Sequence, residues 1–284
     1  MQKLSDMVTT KVRGSSALLY GPPKSGKTKL AGSLSKHFNL HWFDLENGIE
    51  TLLHDTSLTQ EMKDRIFVYS LPDTKVNPVG IDTLMKVFTG NQVKICEKHG
   101  KVTCLHCMGK SPVFEFNASA LTSKDIIVVD SLSQLSDSAF NQVAGADISP
   151  ELEWKHYDGW NQRIAMCLSL IQQAPYNTLF IGHAKMLEQA DGSEKLCPVG
   201  GTKAFSANIT RYFAHVIYCE TKAGQFRTGS KQNYAANIQI GNRADLDLGQ
   251  EGTELAHFFL PASERPKAAA AVAAAKKVSF GKKQ

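Results

Sequence analysis

Eight consecutive residues, Gly21, Pro22, Pro23, Lys24, Ser25, Gly26, Lys27 and Thr28, spell G-x-x-x-x-G-K-T directly after the apolar run Ser16–Tyr20. That spacing suits a polyphosphate. Glycines let successive backbone N–H groups turn inward on a β-phosphate, and a helix opening at Lys27 adds the positive end of its dipole. Lys27 then reaches the β- and γ-phosphates, and Thr28 offers a hydroxyl to Mg²⁺. A Gly-Pro turn before an ordinary helix is the plain alternative, and the strand, loop and helix context argues against it. ATP with Mg²⁺ is the expected ligand.

About a hundred residues later IIVVD places Asp130 at the carboxyl end of an apolar strand, where a carboxylate can hold the magnesium shell. The next residue is Ser131, whereas ATPases of the AAA+ class typically carry Glu there. A general base must come from elsewhere. FDLENG offers Glu46, just past the strand Leu40–Leu45, which in a parallel sheet can sit beside the phosphate-loop strand and orient water for in-line attack. The alternative is that Asp44 and Glu46 form a solvated strand exit. FIGH brings His183 to the same edge, where a polar group can sense the γ-phosphate and pass the signal to the following loop. Glu46, Lys27 and His183 are thus the catalytic candidates.

A second chemistry lies in CEKHGKVTCLHC, Cys96–Cys107, which holds half of the chain's six cysteines. Cys96, His99, Cys104 and Cys107 read C-x₂-H-x₄-C-x₂-C, a pair of tight knuckles able to close a tetrahedral Zn²⁺ site of three thiolates and one imidazole. His106 falls inside the second knuckle with its ring directed away, which favours His99. A redox C-x-x-C and a set of bystander thiols are the competing readings. Cys167, Cys197 and Cys219 stand apart, so a disulfide framework is not expected and a reducing compartment fits.

These groups need a scaffold. SALLY (16–20), LHWFDL (40–45), IFVYS (66–70), DIIVVD (125–130), NTLFIGH (177–183), HVIYC (215–219) and ANIQI (236–240) read as strands. Helical spacing predicts helices over Lys27–Phe38, Ile81–Glu97, Ser133–Gln142 and Tyr157–Gln173, the last with an apolar stripe of Trp160, Ile164, Cys167, Leu168 and Ile171. Continuous apolar strands between helices mean an α/β fold with a mostly parallel sheet covered on both faces. The last two strands, with no clear helix between them, suggest an antiparallel edge hairpin.

Composition agrees with a folded chain, 42% hydrophobic and 21% charged over 284 residues. No run of eighteen apolar residues exists, so the chain is expected to be soluble and cytoplasmic, without a membrane partner. The net charge of +5 sits entirely beyond residue 261, where six Lys or Arg face one acid and leave 26 of each sign elsewhere. The division expected is an N-terminal segment 1–13, a core 14–260 holding a zinc-knuckle insertion at 94–112, and a flexible basic Ala/Lys-rich tail 261–284. The tail suits added phosphate contacts or docking of a single-strand DNA-binding protein, or is a plain solvated end.

GPPKSGKT, FDLENG, VVDSLSQL and FIGHAK together resemble the RecA-like family of recombination ATPases, and within it the small core-only phage proteins of single-strand annealing. VGGTKAFSANITRYFAHVIY, 199–218, is similar to the family's Gly-Gly segment. The resemblance spans about 14–245 and implies a RecA-like P-loop fold, ATP hydrolysis stimulated by single-stranded DNA, and a homo-oligomeric filament or ring with ATP between subunits. If the chain is phage-encoded, its place is the bacterial host cytoplasm. The resemblance puts DNA-facing loops at Asn141–Lys155 and Ala184–Asn208, the second with Lys185, Lys195, Lys203 and Phe205. It also implies a basic residue acting in trans, for which Arg227 and Lys231 are the candidates. With no sizeable N-terminal oligomerisation domain expected, annealing is favoured over complete strand exchange. A hexameric helicase-type motor and a nucleotide-gated DNA scaffold with little turnover are the alternative functions.

Overall fold

The computed structural model describes residues 14–145, 152–189, 191–231, 235–250, 252–261 and 263–265. The N-terminal segment 1–13, the tail beyond 265 and residues 146–151 of the first expected DNA loop lie outside the described residues.

In chain order the elements are β1 (Ser16–Gly21), α1 (Lys27–Gly32), β2 (Asn39–Asp44), α2 (Glu50–Leu53), α3 (Gln60–Asp64), β3 (Ile66–Ser70) and α4 (Gly80–Phe88). Then come β4 (Gln92–Cys96), β5 (Val113–Asn117), β6 (Asp125–Asp130), α5 (Leu132–Ala144), α6 (Trp154–Ile171), β7 (Asn177–Glu188) and β8 (Glu194–Pro198). The last are α7 (Lys203–Ser206), β9 (His215–Lys222), β10 (Gln225–Gly229) and β11 (Gly241–Asn242). The main sheet runs β10-β9-β1-β7-β6-β2-β3, with β11 on β9 and β8 on β7. From β9 to β3 every neighbouring pair is parallel, while β10, β11 and β8 pair antiparallel.

Both faces of the central strands β1, β6 and the first half of β7 are covered, and these read as unbroken apolar runs for that reason. Alternate residues serve opposite layers. Leu18, Tyr20, Ile127, Val129 and Phe180 pack with Leu84, Leu135, Ile164 and Leu168 of α4, α5 and α6. Ala17, Leu19, Ile126, Val128 and Leu179 pack with Ala31 of α1 and with Leu255, Phe258 and Phe259 near the end of the described chain. The apolar stripe of α6 is buried at Ile164, Cys167, Leu168 and Ile171, and Trp160 packs against the same cluster.

Several expectations are corrected. β2 does not lie beside the phosphate-loop strand: β7 and β6 intervene, and β2 pairs with β6 and β3. The helix expected to Glu97 ends at Phe88, and the chain reverses into β4, whose alternating burial marks a strand. The helix at Lys27 gives way to a 3₁₀ turn, Ser33–Lys36. ANIQI is not a strand of the sheet; only Ile238 forms an isolated bridge, to Leu196. The edge hairpin is instead β9–β10. The second expected DNA loop is largely the β7–β8 hairpin followed by α7.

Candidate functional site

β1 delivers Gly21 to the carboxyl edge of the sheet, and the chain turns through Lys24 (φ 61) and Gly26 (φ 82) before α1. Positive φ at two of these positions bends the loop so that it closes around the Lys27 side chain. Lys27 is 6% exposed. Its ammonium donates to the carbonyls of Gly21 (3.1 Å) and Pro22 (2.8 Å) and lies 3.4 Å from Ser25 Oγ. Burial lowers its pKa from the ordinary value, opposed by the charges of Asp130 and Glu46. Thr28 follows on the first turn of α1, half-buried.

Strand register sets the other groups. Gly21 pairs with His183, Ile181 with Asp130, and Asp130 with Asp44, so β6 and β2 end level, β1 ends two residues farther along β7, and β7 itself runs on to Glu188. Asp44 is no solvated exit. It is 2% exposed, and its carboxylate accepts N–H bonds from Glu46 (3.3 Å), Gly48 (3.0 Å) and Ile49 (3.3 Å). That cap, with Asn47 in the left-handed region at φ 58, folds the loop that presents Glu46.

Glu46 meets two donors. Ser131 Oγ donates to its Oε1, and His183 Nε2 lies 3.4 Å from its Oε2. Burial would raise the Glu46 pKa, but the bonds from His183 and Ser131 and the Lys27 charge hold it below the ordinary value. The carboxylate therefore stays ionised near neutral pH while its side chain keeps 29% exposure, open to water. His183 is fixed from behind, its backbone N–H donating to Ser133 Oγ at 3.0 Å.

Asp130 is 3% exposed, and its Oδ2 has no hydrogen-bond partner. Burial first, then the Asp44 and Glu46 charges, push its pKa up to about 7. A Cβ at Gly48 would stand 2.5 Å from that Oδ2, so only glycine lets the Glu46 loop pack this closely on the carboxylate. An orphaned buried carboxylate oxygen among three acids fits a divalent cation.

The Cys/His cluster sits between β4 and β5, an antiparallel pair outside the main sheet. The ligand atoms of Cys96, His99, Cys104 and Cys107 lie within 4.8 Å of one another, the only such group among the described residues. His99 Nδ1 stands 3.1, 3.5 and 3.7 Å from the sulfurs of Cys107, Cys104 and Cys96, and Cys96 lies 3.5 Å from Cys107. Zinc bonds of ~2.3 Å to sulfur and ~2.0 Å to nitrogen give tetrahedron edges of about 3.5–3.8 Å, so the set fits zinc. His106 is outside it. Gly100 (φ 64) and Met108 (φ 46) turn the knuckles, and Thr83 of α4 donates to Gly100 O at 2.7 Å, tying the module to the core. The cluster lies on the β3 flank: a Cβ at Gly100 would meet Pro72 and Leu71, which leave β3.

The DNA-directed candidates are spread over one hairpin and one helix. Lys185 on β7 and Lys203 on α7 line a cavity of about 460 Å³ with Asp137, Trp160, Glu188 and Glu194. Lys195 on β8 pairs in register with Leu187. Phe205 is half-buried and stacks on Tyr212. Arg227 is exposed on β10, and Lys231 lies 3.1 Å from Asp245.

Sequence reasoning missed Ser131 as a donor to Glu46 and Asp44 as the cap of its loop. The Asp-x-x-Asn-Gly spacing of Asp44, Asn47 and Gly48 was the available signal for the cap. A family model described as an AAA domain matches residues 13–238, which includes every strand-end group above and the Cys/His cluster. No curated protein matches the chain.

Proposed function

This chain belongs to the AAA-domain family of P-loop ATPases, and from that premise we propose that it is a RecA-like ATPase that binds single-stranded DNA in recombination or annealing. The observation that carries the proposal is the placement of Glu46. Its carboxylate stands at the end of β2, beside the Asp130 strand, held between Ser131 and His183. An ionised, water-accessible base lies there across the sheet edge from Lys27.

In this reading the loop Gly21–Thr28 binds the triphosphate and Lys27 moves from the loop carbonyls to the β- and γ-phosphates. Glu46 orients a water and takes its proton as the water attacks in line. Thr28 and Asp130 would hold Mg²⁺, which would neutralise charge developing on the transferred phosphate. His183 connects this event to β7, whose outer half carries Lys185. A change at Glu46 can therefore move the β7–β8 hairpin and the cavity that Lys185 and Lys203 line. The order β1-β7-β6 puts His183 of β7 between the phosphate loop and Asp130. The core 14–260 would work as an oligomer, and 94–112 as a zinc-stapled module on its β3 flank.

The test is fluorescence anisotropy of a labelled single-stranded oligonucleotide with Mg²⁺ and a non-hydrolysable ATP analogue. Binding that needs the nucleotide, and that electron microscopy resolves as rings or filaments, is expected. Equal affinity for duplex, or no binding, contradicts the DNA assignment and leaves the ATPase assignment standing.

A further inference from the structure

The phosphate loop has two flanks. On one, β7, β6 and β2 assemble His183, Asp130 and Glu46, the end at which a terminal phosphate is attacked. On the other stand β9 and β10, which supply no group to this subunit's own Glu46–Asp130–His183 edge; Arg227 on β10 is a candidate only for a neighbour's site.

The β9–β10 hairpin is closed by Ala223 (φ 51) and Gly224 (φ 75). Positive φ at both central residues is the turn whose twist matches the flanking strands. Register pairs Phe226 with Thr221, which puts both on one face of the hairpin. That face lies on the loop: Thr221 Oγ1 donates to Lys24 O at 3.3 Å. A Cβ at Gly26 would stand 2.8 Å from Phe226 Cδ1 and 3.0 Å from its Cε1. The Phe226 ring therefore rests on the glycine of the G-K-T turn, and yet the residue is 63% exposed. Arg227, its neighbour, faces the other way and pairs in register with Glu220.

A nucleotide is a linear ligand. With its β-phosphate in the loop and its γ-phosphate toward Glu46, the sugar and base must leave over the opposite flank, where Phe226 presents an open aromatic face. We propose that Phe226 is the stacking platform for the base of the nucleoside triphosphate. The inference rests on the ATPase reading of the same loop. Stacking on a phenyl ring tolerates any base, so it provides affinity for a nucleoside triphosphate over bare polyphosphate and does not choose between bases.

Calorimetric titration with Mg²⁺ of ATP and of inorganic tripolyphosphate, into the wild-type chain, Phe226→Ala and Phe226→Trp, tests it. Expected is a loss of roughly tenfold or more in ATP affinity for Phe226→Ala, the scale of one base stacked on an aromatic ring. Tripolyphosphate affinity should stay within about twofold, which also reports an intact loop, and Phe226→Trp should bind ATP at least as well as wild type. Equal ATP affinity in wild type and Phe226→Ala overturns the inference alone. Equal loss of ATP and tripolyphosphate overturns it too, since Phe226 would then merely shape the loop. A wild-type chain that binds tripolyphosphate and ATP equally gives the base no platform. One that binds neither overturns the ATPase reading with it.

Discussion

Asp130→Asn should make the ligand-free protein more stable while removing its magnesium site. Asp130 is buried beside Asp44 and Glu46, and its pKa rises from 3.8 to about 7. The sign follows directly: the folded state favours the protonated acid. No penalty exists below pH 3.8, a penalty accumulates as pH rises through the interval to 7, and it is constant above. At 1.36 kcal/mol per tenfold, the full interval amounts to about 4 kcal/mol. The asparagine is nearly isosteric and carries no charge, so it escapes that cost and also relieves Asp44 and Glu46. Urea unfolding without nucleotide or metal should show the variant about 4 kcal/mol more stable at pH 8 and nearly equal to wild type at pH 4. For a domain of this size the difference corresponds to roughly 8–16 °C in Tm. Saturating Mg²⁺ and ATP should narrow the gap by stabilising only the wild type. A variant no more stable at pH 8, or a gap that widens toward acid, refutes the reasoning.

Ser131→Ala removes a donor that holds the Glu46 pKa down. A base works only when deprotonated, so the acidic limb of the kcat–pH profile should move to higher pH, and a titration of kcat between pH 4 and 8 detects it. Chelation of zinc, or Cys104→Ser, should release about one metal per chain and loosen the β4–β5 pair while ATP still binds at Lys27. Metal analysis, hydrogen exchange over 92–117 and nucleotide titration separate those effects, and lost ATP binding would mean the module supports the site.

Legibility followed the range of the interactions. β3 and β6 were readable to the residue because unbroken apolar runs end at polar or charged residues. The motifs carrying Gly21, Glu46, Asp130 and His183 were readable as motifs, since each is local. Their lateral order was not: that β2 sits against β6 and not β1 depends on pairing between residues some eighty apart. The two missed hairpins had local signals. Asp191-Gly192 marks the β7–β8 turn and Ala223-Gly224 the β9–β10 turn. Val93 and Ile95 fall inside the expected helix Ile81–Glu97, although Gln92-Val93-Lys94-Ile95 alternates with period two. The four knuckle ligands were legible because spacing alone brings them together. Ser131 was not, because its bond to Glu46 spans 85 residues.

The central claim is that Glu46 is the base of an ATP-hydrolysing site built on Lys27 and Asp130. Single-turnover hydrolysis by Glu46→Gln, with ATP affinity measured on the same preparation, tests it most directly. The account predicts a fall of roughly 10²–10⁴-fold in the cleavage rate, the scale of one general base, with ATP affinity held within about threefold. Turnover at the wild-type rate would contradict it and remove Glu46 from the mechanism.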